Sequence, residues 1–352
     1  MDASASSEYS NSVPRILLIR RRYLGDIVLL SSSVANLHRH WPEAHITVLV
    51  EPLYHDVPRL IPHVNQTLVL PGTAGAWPGF LLRIRRERFT HVFDYDNTEG
   101  TAVLAAWSGA AVRVTFSYDD RKTRLRRSYT RLAPIVRADH DSRSIVDTYQ
   151  LLLREAGVPT PSREVRLLPG ETARRQAQRL VSGATRKVIV HPGTRSPFRL
   201  WPVERFAELI DQVQEELGAQ VFLAGGPSDL ATLRAIRQRA QTHVIVLEQT
   251  FSVEEFAALL AQFDLLVCHD SGPMHIATAV GTRLVALFGS QNAMTWRPQG
   301  ENHILLQTDL PCTCFPPSQL PELCTPTDSY RTFCVRKLQV SAVYAAVASQ
   351  LK

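Results

Sequence analysis

Short apolar runs alternate with amphipathic helical patterns along most of this chain, and that alternation limits the fold more than any other feature. In the first half the apolar runs are residues 16–19, 46–50, 67–70 and 91–94. Residues 24–38 carry their apolar side chains at helical spacing, and helical segments of variable quality separate the other runs. Strands that alternate with helices predict a parallel sheet with crossover helices.

The second half repeats this pattern more clearly. Its apolar runs are residues 188–190, 221–224, 244–247, 265–268 and 284–288. Pro202 begins a helical pattern that ends at Gly218, and Ser252 with Glu255 forms a capping box for another. The chain has 352 residues, whereas single cores stop growing at about 250–300 residues. The sequence therefore predicts two α/β domains in tandem.

A proline-containing segment, residues 158–170, separates the two halves and sets the expected domain boundaries. We expect a first domain over residues 14–165 and a second over residues 171–338. Residues 339–352 are predicted to form a final helix that packs back on the first domain. Because ligands of parallel sheets bind beyond the carboxyl ends of the strands, the residues that follow each strand are the candidates for function.

The sequence contains no predicted targeting or membrane-spanning segment. Residues 1–13 are rich in Ser, Ala and Asn and lack the apolar stretch of a secretion signal, so we predict a disordered leader. No window reaches the roughly 18 consecutive apolar residues that a spanning helix needs. We therefore expect a cytoplasmic protein.

The charge balance favours an anionic partner without identifying it. Lys and Arg number 39 against 33 Asp and Glu, which gives a formal net charge of +6. Nucleic acid, an anionic membrane face and a phosphorylated substrate are all compatible with this balance. The densest basic run, residues 121–127, is either an anion-binding surface or a solvated loop, and no recognised nucleic-acid-binding motif accompanies it.

The loop after the first strand, residues 20–26, leads directly into a helix and ends in Asp26. It lacks the G-x-G-x-x-G pattern of nicotinamide and flavin dinucleotide sites. Asp26 is therefore either a helix cap or a carboxylate with a chemical role.

The loop after residues 188–190 combines Thr194, Arg195 and Arg199 with a glycine, ahead of a helix start. Backbone N–H groups, the helix dipole and guanidinium groups favour a phosphate at such a place. A plain turn with solvated arginines is the alternative interpretation.

The loop after residues 265–268 contains Asp270, Ser271, Gly272 and His275. A helix start needs only one cap, so this number of polar groups indicates a second anion-binding helix terminus. The alternative is a strand-to-helix turn with a core histidine.

Together the three loops resemble glycosyltransferase family 9, the ADP-heptose:lipopolysaccharide heptosyltransferases. The family's Leu-Gly-Asp motif is matched at residues 24–26, and its His-Pro-Gly loop with a following basic residue and Trp-Pro at residues 191–202. Its Asp-Ser-Gly-x-x-His motif is matched at residues 270–275, and its Leu-Phe-Gly strand end at residues 287–289. The resemblance extends from about residue 15 to about residue 338, in the family's order and spacing.

The resemblance implies a GT-B fold, in which two Rossmann-like domains face a central cleft, with the acceptor in the first and the nucleotide-sugar donor in the second. It also implies inversion at the sugar and no required metal or other cofactor. Asp26 matches the family's catalytic base. Arg121, Lys122 and Arg124 are candidates for binding the acceptor, because the first domain holds it in this family.

The donor site is assigned by the same resemblance. Its expected residues are Thr194, Arg195, Arg199, Asp229, Asp270, Ser271, Gly272 and His275. Asp229 is the candidate for the ribose-binding acid. Many members have Lys where this chain has Arg199, and a guanidinium presents a planar fork instead of a compact ammonium. This departure leaves the exact nucleotide sugar open.

Four cysteines lie close together near the end of the chain: Cys312, Cys314, Cys324 and Cys334. Four thiols could hold zinc in a closed structural site, although the paired C-x-x-C spacing is absent. We expect reduced thiols or a structural metal here, not catalysis.

The sequence thus predicts a cytoplasmic glycosyltransferase that moves a heptose from ADP-heptose to an anionic glycolipid, the lipopolysaccharide inner core or a related glycan. Peripheral contact with the inner membrane face is part of this expectation. The alternatives are a family relative that uses another nucleotide sugar and a non-catalytic nucleotide- or anion-binding protein. A nucleic-acid-binding protein ranks last, since it would need a steeply salt-dependent affinity.

Overall fold

A computed structural model describes residues 13–123, 125–183, 185–194, 199–289, 291–310 and 334–352. The chain divides into two compact units. The first contains the chain through His140 together with Val146–Arg163, and the second contains Asp141–Ile145 and Glu164–Lys352. Each unit has its own parallel sheet with helices, so the predicted α/β fold class with two Rossmann-like domains is confirmed.

The short segment Asp141–Ile145 belongs to the second unit although the chain around it belongs to the first. Side-chain amides of the second unit hold it. Asn292 donates a hydrogen bond to the carbonyl of Asp141 at 2.6 Å, and Gln299 donates to the hydroxyl of Ser144 at 2.7 Å. A single boundary in the sequence therefore does not describe how the chain is divided.

The first unit contains a six-stranded parallel sheet. Its strands are β1 (Arg15–Ile19), β2 (His45–Val50), β3 (Gln66–Val69), β4 (His91–Asp94), β5 (Val112–Tyr118) and β6 (Arg131–Ile135), in the spatial order β3-β2-β1-β4-β5-β6. Its helices are α1 (Leu24–His40), α2 (Trp77–Arg86), α3 (Glu99–Ser108), α4 (Arg137–Asp141) and α5 (Ile145–Glu155). The order reverses between β1 and β4, which places a topological switch point there.

The central strand and the first helix form as the apolar pattern predicts. Residues 16–19 of β1 are fully buried, as expected for a strand covered on both faces. In α1 the buried residues include Ile27, Leu30, Val34 and Leu37, the face predicted from their spacing. None of the described helices combines the length and apolar character needed to cross a membrane.

The second unit contains another six-stranded parallel sheet. Its strands are β7 (Lys187–His191), β8 (Gln220–Ala224), β9 (Ile245–Leu247), β10 (Leu265–His269), β11 (Arg283–Leu287) and β12 (His303–Leu306), in the spatial order β12-β11-β10-β7-β8-β9. Its helices are α6 (Glu171–Leu180), α7 (Val203–Leu217), α8 (Leu230–Arg239), α9 (Val253–Leu260), α10 (Gly272–Val280), α11 (Ala293–Trp296) and α12 (Val340–Gln350). The switch point lies between β7 and β10.

Local signals fix the ends of two helices in this unit. Gly218 ends α7 in the left-handed conformation, with φ of 61°. Ser252 and Glu255 form the predicted capping box: the Ser252 hydroxyl accepts from the Glu255 amide at 3.2 Å, and the Glu255 carboxylate accepts from the Ser252 amide at 2.8 Å.

The last helix, α12, was expected to pack back on the first domain; in the structure it belongs to the second unit. Its buried residues Val340, Val343, Ala346 and Val347 are part of the core of the second unit. The helix packs against α7 and β11, and the Tyr344 hydroxyl donates to Glu216 of α7 at 2.7 Å. The apolar side chains of α12 are therefore covered by the sheet and helix of its own unit.

Candidate active site

One candidate site lies at the carboxyl edge of the first sheet, where the strand order reverses. Strands β1 and β4 are paired, with Ile19 opposite Asp94. The segment after β1 and the segment after β4 are therefore neighbours. Side chains from both segments, together with Asp94 of β4 and Tyr149 of α5, form one hydrogen-bonded cluster. We call it the carboxylate cluster, and its residues are Arg20, Arg21, Asp26, Asp94, Asp96 and Tyr149.

Asp26 lies in the first turn of α1 and is only 7% exposed. Its Oδ1 accepts a hydrogen bond from Arg20 and another, at 2.9 Å, from the hydroxyl of Tyr149. Its Oδ2 accepts from the amide of Tyr23 at 3.4 Å. The capping interpretation is thus partly correct, but this bond is long and the stronger partners are the guanidinium and the phenol.

Asp96 holds two arginines on the other side of the cluster. Its Oδ1 accepts from Arg20 at 3.1 Å, and Arg20 also donates to the carbonyl of Tyr95 at 3.1 Å. Its Oδ2 accepts from the amide and the Nε of Arg21, at 3.1 and 2.6 Å. Arg20 therefore bridges Asp26 and Asp96, and the buried charges compensate one another.

Asp94, the last residue of β4, is completely buried. Its Oδ1 accepts from the amides of Asp96 and Asn97, at 3.0 and 3.2 Å, and its Oδ2 accepts from the hydroxyl of Tyr129 at 2.5 Å. Burial raises the pKa of Asp94 to about 6, although the bond from Tyr129 opposes this rise. Neither Asp94 nor Asp96 was among the sequence candidates; an aspartate at the end of a buried strand and another two residues later were the available signal.

The predicted acceptor residues lie after β5. The guanidinium of Arg121 stacks over the ring of Tyr118, with its carbon 4.0 Å from the ring centre. Arg121 and Lys122 are exposed, and Arg124 lies outside the described residues. Their role in binding an acceptor stays a prediction.

A separate candidate site lies at the carboxyl edge of the second sheet. Strands β7 and β10 are paired, with His191 opposite Cys268. His269, at the end of β10, accepts the amide hydrogen of Trp201 on its Nε2 at 2.9 Å, and Trp201 is fully buried. Burial lowers the pKa of His269 to about 3, so the ring is a neutral acceptor. The loop after β7 is thus fixed to the end of β10.

The residues after β10 present a helix terminus. Ser271 is the N-cap of α10, but its side chain does not cap the helix; its hydroxyl donates to the carbonyl of His269 at 3.2 Å. Gly272 is the first helical residue, and His275 is 5% exposed. Burial raises the pKa of Asp270 to about 6, and the Arg199 guanidinium opposes this rise. Arg199 and Asp270 are thus electrostatic neighbours, as a shared site requires.

Asp229 lies against the glycine of the loop after β7. Its Oδ2 accepts from the Gly226 amide at 2.8 Å. A Cβ at Gly193 would lie 2.3 Å from that oxygen and 2.7 Å from the ring of His191. Gly193 therefore allows the loops after β7 and β8 to approach each other closely.

The described donor candidates thus occupy adjacent loops of one sheet edge. The loop after β7 carries Thr194 and Arg199, the loop after β8 carries Asp229, and the loop after β10 leads into α10. Arg195 lies outside the described residues. His269, which anchors the Trp201 amide, was not among the sequence candidates.

The structure describes one of the four cysteines of the predicted zinc site. Cys312, Cys314 and Cys324 lie outside the described residues, and Cys334 is buried in the second unit. Among the described residues, no group of three or more His, Cys, Asp or Glu side chains is arranged to hold a metal ion.

Comparison with known proteins identifies the family. The family model for glycosyltransferase family 9 (heptosyltransferase) matches residues 80–318, more than half of the chain. This chain belongs to glycosyltransferase family 9. The matched range includes the loops after β7 and β10 of this family 9 enzyme, whereas Asp26 precedes it.

Individual relatives of this family 9 chain agree with that assignment. Lipopolysaccharide heptosyltransferase 3 of Escherichia coli is 26% identical over 300 residues, which cover 80% of this chain and 86% of that protein. A family 9 glycosyl transferase from Veillonella parvula has a TM-score of 0.82 at 24% identity, covering 96% of this chain and 97% of that one. The Escherichia coli ADP-heptose lps heptosyltransferase II has a TM-score of 0.76 at 20% identity, covering 96% and 98%. The family 9 enzyme therefore has the GT-B class of fold predicted from its motifs.

Proposed function

We propose that this family 9 glycosyltransferase moves a heptose from ADP-heptose to an acceptor hydroxyl of a lipopolysaccharide inner core or a related glycan. The similar proteins support this proposal, because one is a lipopolysaccharide heptosyltransferase and another an ADP-heptose heptosyltransferase. We propose inversion at the sugar and chemistry that requires no metal ion.

The catalytic part of this proposal rests on the position of Asp26. It is a buried carboxylate at a topological switch point, held by Arg20 and Tyr149. In the proposed step Asp26 accepts the proton of the acceptor hydroxyl. The acceptor oxygen forms a bond to the anomeric carbon as the bond from that carbon to the diphosphate breaks. The electron pair of the broken bond leaves with ADP.

The donor part rests on the loops after β7 and β10. The amides at the start of α10 and the guanidinium of Arg199 would stabilise the negative charge that develops on the leaving diphosphate. Thr194 and Arg195 belong to the same proposed phosphate site, Asp270 and His275 shape it, and Asp229 is the proposed ribose ligand. In this proposal these groups take the place of a divalent cation.

The acceptor is proposed to be an anionic glycolipid. The exposed Arg121 and Lys122 would attract its acidic sugars and phosphates. We place the enzyme in the cytoplasm, in peripheral contact with the inner membrane face where such a lipid is presented.

Donor binding tests the proposal most directly. Calorimetric titration should show a clear preference for ADP and ADP-heptose over UDP, GDP and their sugars. Arg199→Ala should weaken ADP affinity by about 10- to 100-fold, because it removes charge-assisted bonds of about 1.5–3 kcal/mol.

The matched control is Arg174→Ala, which removes an exposed arginine from α6 of the same unit. This control should leave ADP affinity unchanged. A preference for UDP or GDP would assign the enzyme to another sugar nucleotide. Binding of none of the nucleotides would contradict the donor site itself.

A further inference from the structure

The two oxygens of the Asp26 carboxylate are not equivalent. Oδ1 accepts from Arg20 and from Tyr149, and the Tyr149 bond is 2.9 Å long. Within the described part of the chain, the hydrogen bond at Oδ2 is the contact of 3.4 Å from the Tyr23 amide. A carboxylate oxygen has two lone pairs, so Oδ1 is saturated while Oδ2 retains capacity to accept a further hydrogen.

The position of Arg20 decides which oxygen is saturated. One terminal nitrogen of Arg20 donates to Asp96 and to the carbonyl of Tyr95, each at 3.1 Å. The other terminal nitrogen donates to Asp26. The Nε of Arg20 is buried with no hydrogen-bond partner among the described residues. The two terminal nitrogens therefore fix the guanidinium plane between the two aspartates.

Asp96 is itself held by the main chain and by a buried neighbour. Its side chain, 5% exposed, accepts from the amide and Nε of Arg21. Its own amide donates to Asp94 at 3.0 Å, and Asp94 is fully buried and bonded to Tyr129. A continuous set of hydrogen bonds thus extends from β4 through Asp96 and Arg20 to Asp26.

We infer that Asp96 is a positioning residue that acts through Arg20. Because Arg20 and Tyr149 both donate to Oδ1 of Asp26, Oδ2 is the oxygen that takes the proton from the acceptor hydroxyl. The inference rests on the proposed role of Asp26 as the base. A general base must present a free lone pair within hydrogen-bond reach of the proton it takes. Rotation of the carboxylate would exchange the two oxygens and misalign the reacting atoms. The hydrogen bonds from Arg20 and Tyr149 to Oδ1 prevent this rotation.

The test is the single-turnover rate with saturating ADP-heptose and a heptose-free lipopolysaccharide acceptor, measured for Asp96→Asn. We expect a loss of about 10- to 100-fold, the size associated with misplacement of a reacting group by about 1 Å. ADP affinity and the KM for the acceptor should stay within about twofold of wild type, because Asp96 contacts neither substrate in this scheme.

Glu51→Gln is the matched control. Glu51 lies 3.7 Å from Arg21 and 3.9 Å from Arg22, so the variant removes a carboxylate from the same arginine segment without affecting Arg20 or Asp26. Its single-turnover rate should equal that of wild type. Equal rates in Asp96→Asn and Glu51→Gln would overturn the inference.

Tyr149→Phe provides an independent variant, since it removes the other donor to Oδ1 and keeps the ring that packs 5.0 Å from Tyr95. A loss of about 10-fold with unchanged ADP affinity is expected. If Asp96→Asn does not fold, the single-turnover rate of Tyr149→Phe tests the inference. A wild-type rate in Tyr149→Phe would contradict it.

Asp26→Asn separates this inference from the proposed function. If Asp26→Asn is inactive while Asp96→Asn and Tyr149→Phe keep the wild-type rate, the inference fails and the base assignment stands. If Asp26→Asn keeps the wild-type rate, the base assignment fails, and the inference fails with it.

Discussion

The two switch points have the same topology and opposite chemistry. At the first, between β1 and β4, three aspartates and two arginines share one network of ion pairs and hydrogen bonds. At the second, between β7 and β10, the anchoring group is a neutral histidine, and a helix terminus lies beside it. The sheet edge thus supplies only a location, and the side chains of each loop decide what that location can do.

The difference in chemistry follows from the group that each switch point would bind. A carboxylate that takes a proton needs a fixed orientation, and charge-assisted hydrogen bonds from Arg20 provide it. A site for a diphosphate needs positive potential, and a helix start with a nearby arginine provides that. The neutral ring of His269 fixes the loop without adding a charge beside the proposed phosphate.

The largest expected effect separates the two points by function. Asp26→Asn should lower turnover by about 10³-fold, because general base catalysis contributes about 10²–10⁴-fold. ADP affinity should not change, since the proposed donor residues belong to the other switch point. Calorimetry with ADP and a turnover assay on the same preparation measure both. A parallel loss of ADP affinity would contradict the division of roles between the two units.

Acidification should affect His269 and Asp94 in opposite directions. Burial lowers the pKa of His269 from its ordinary value of 6.5 to about 3, so the folded protein binds fewer protons there and loses stability as the pH falls from about 6.5 towards 3. Burial raises the pKa of Asp94 from its ordinary value of 3.8 to about 6, so acidification from about 6 to 4 relieves a penalty and adds stability. Each effect is on the order of 3–5 kcal/mol over its full range.

Urea unfolding at pH 7 and pH 4 measures this contrast. The stability advantage of wild type over His269→Gln should shrink at pH 4, because only wild type loses stability through protonation of that ring. The stability of wild type relative to Asp94→Asn should rise at pH 4. Two differences that move in the same direction would contradict the opposite pKa shifts of His269 and Asp94.

The smallest expected effect is on ADP binding when the packing of the loops at the second switch point is disturbed. In Gly193→Ala the new methyl would meet Asp229 Oδ2 at 2.3 Å and the His191 ring at 2.7 Å, so both side chains must shift. We expect about 10-fold weaker ADP binding, the equivalent of an overpacking cost of about 1–3 kcal/mol.

Gly226→Ala in the neighbouring loop is the control for this packing effect, because its methyl would lie 3.6 Å from Asp229, an ordinary contact. It should bind ADP like wild type. Equal ADP affinity in the two variants would show that the close approach of the loops after β7 and β8 does not affect donor binding.

The elements that the sequence predicted correctly are those with a local signal. The run at residues 16–19, the apolar face of α1, the capping box at Ser252 and the left-handed Gly218 each depend on neighbouring residues only. Strands β5, β6 and β12 were missed. They are partly exposed and contain polar residues or proline, which weakens the apolar pattern.

The order, spacing and kinds of residue in the three loops were enough to identify the family and to place Asp26, Arg199 and Asp270 after strands. Only the tertiary structure decided what surrounds them. Tyr149 reaches Asp26 from 123 positions along the chain, and Asp96 reaches Arg20 from 76. Such contacts depend on which strands lie side by side. The same is true of α12, whose apolar face could be read from the sequence, whereas the core that covers it was set by the packing of the second sheet.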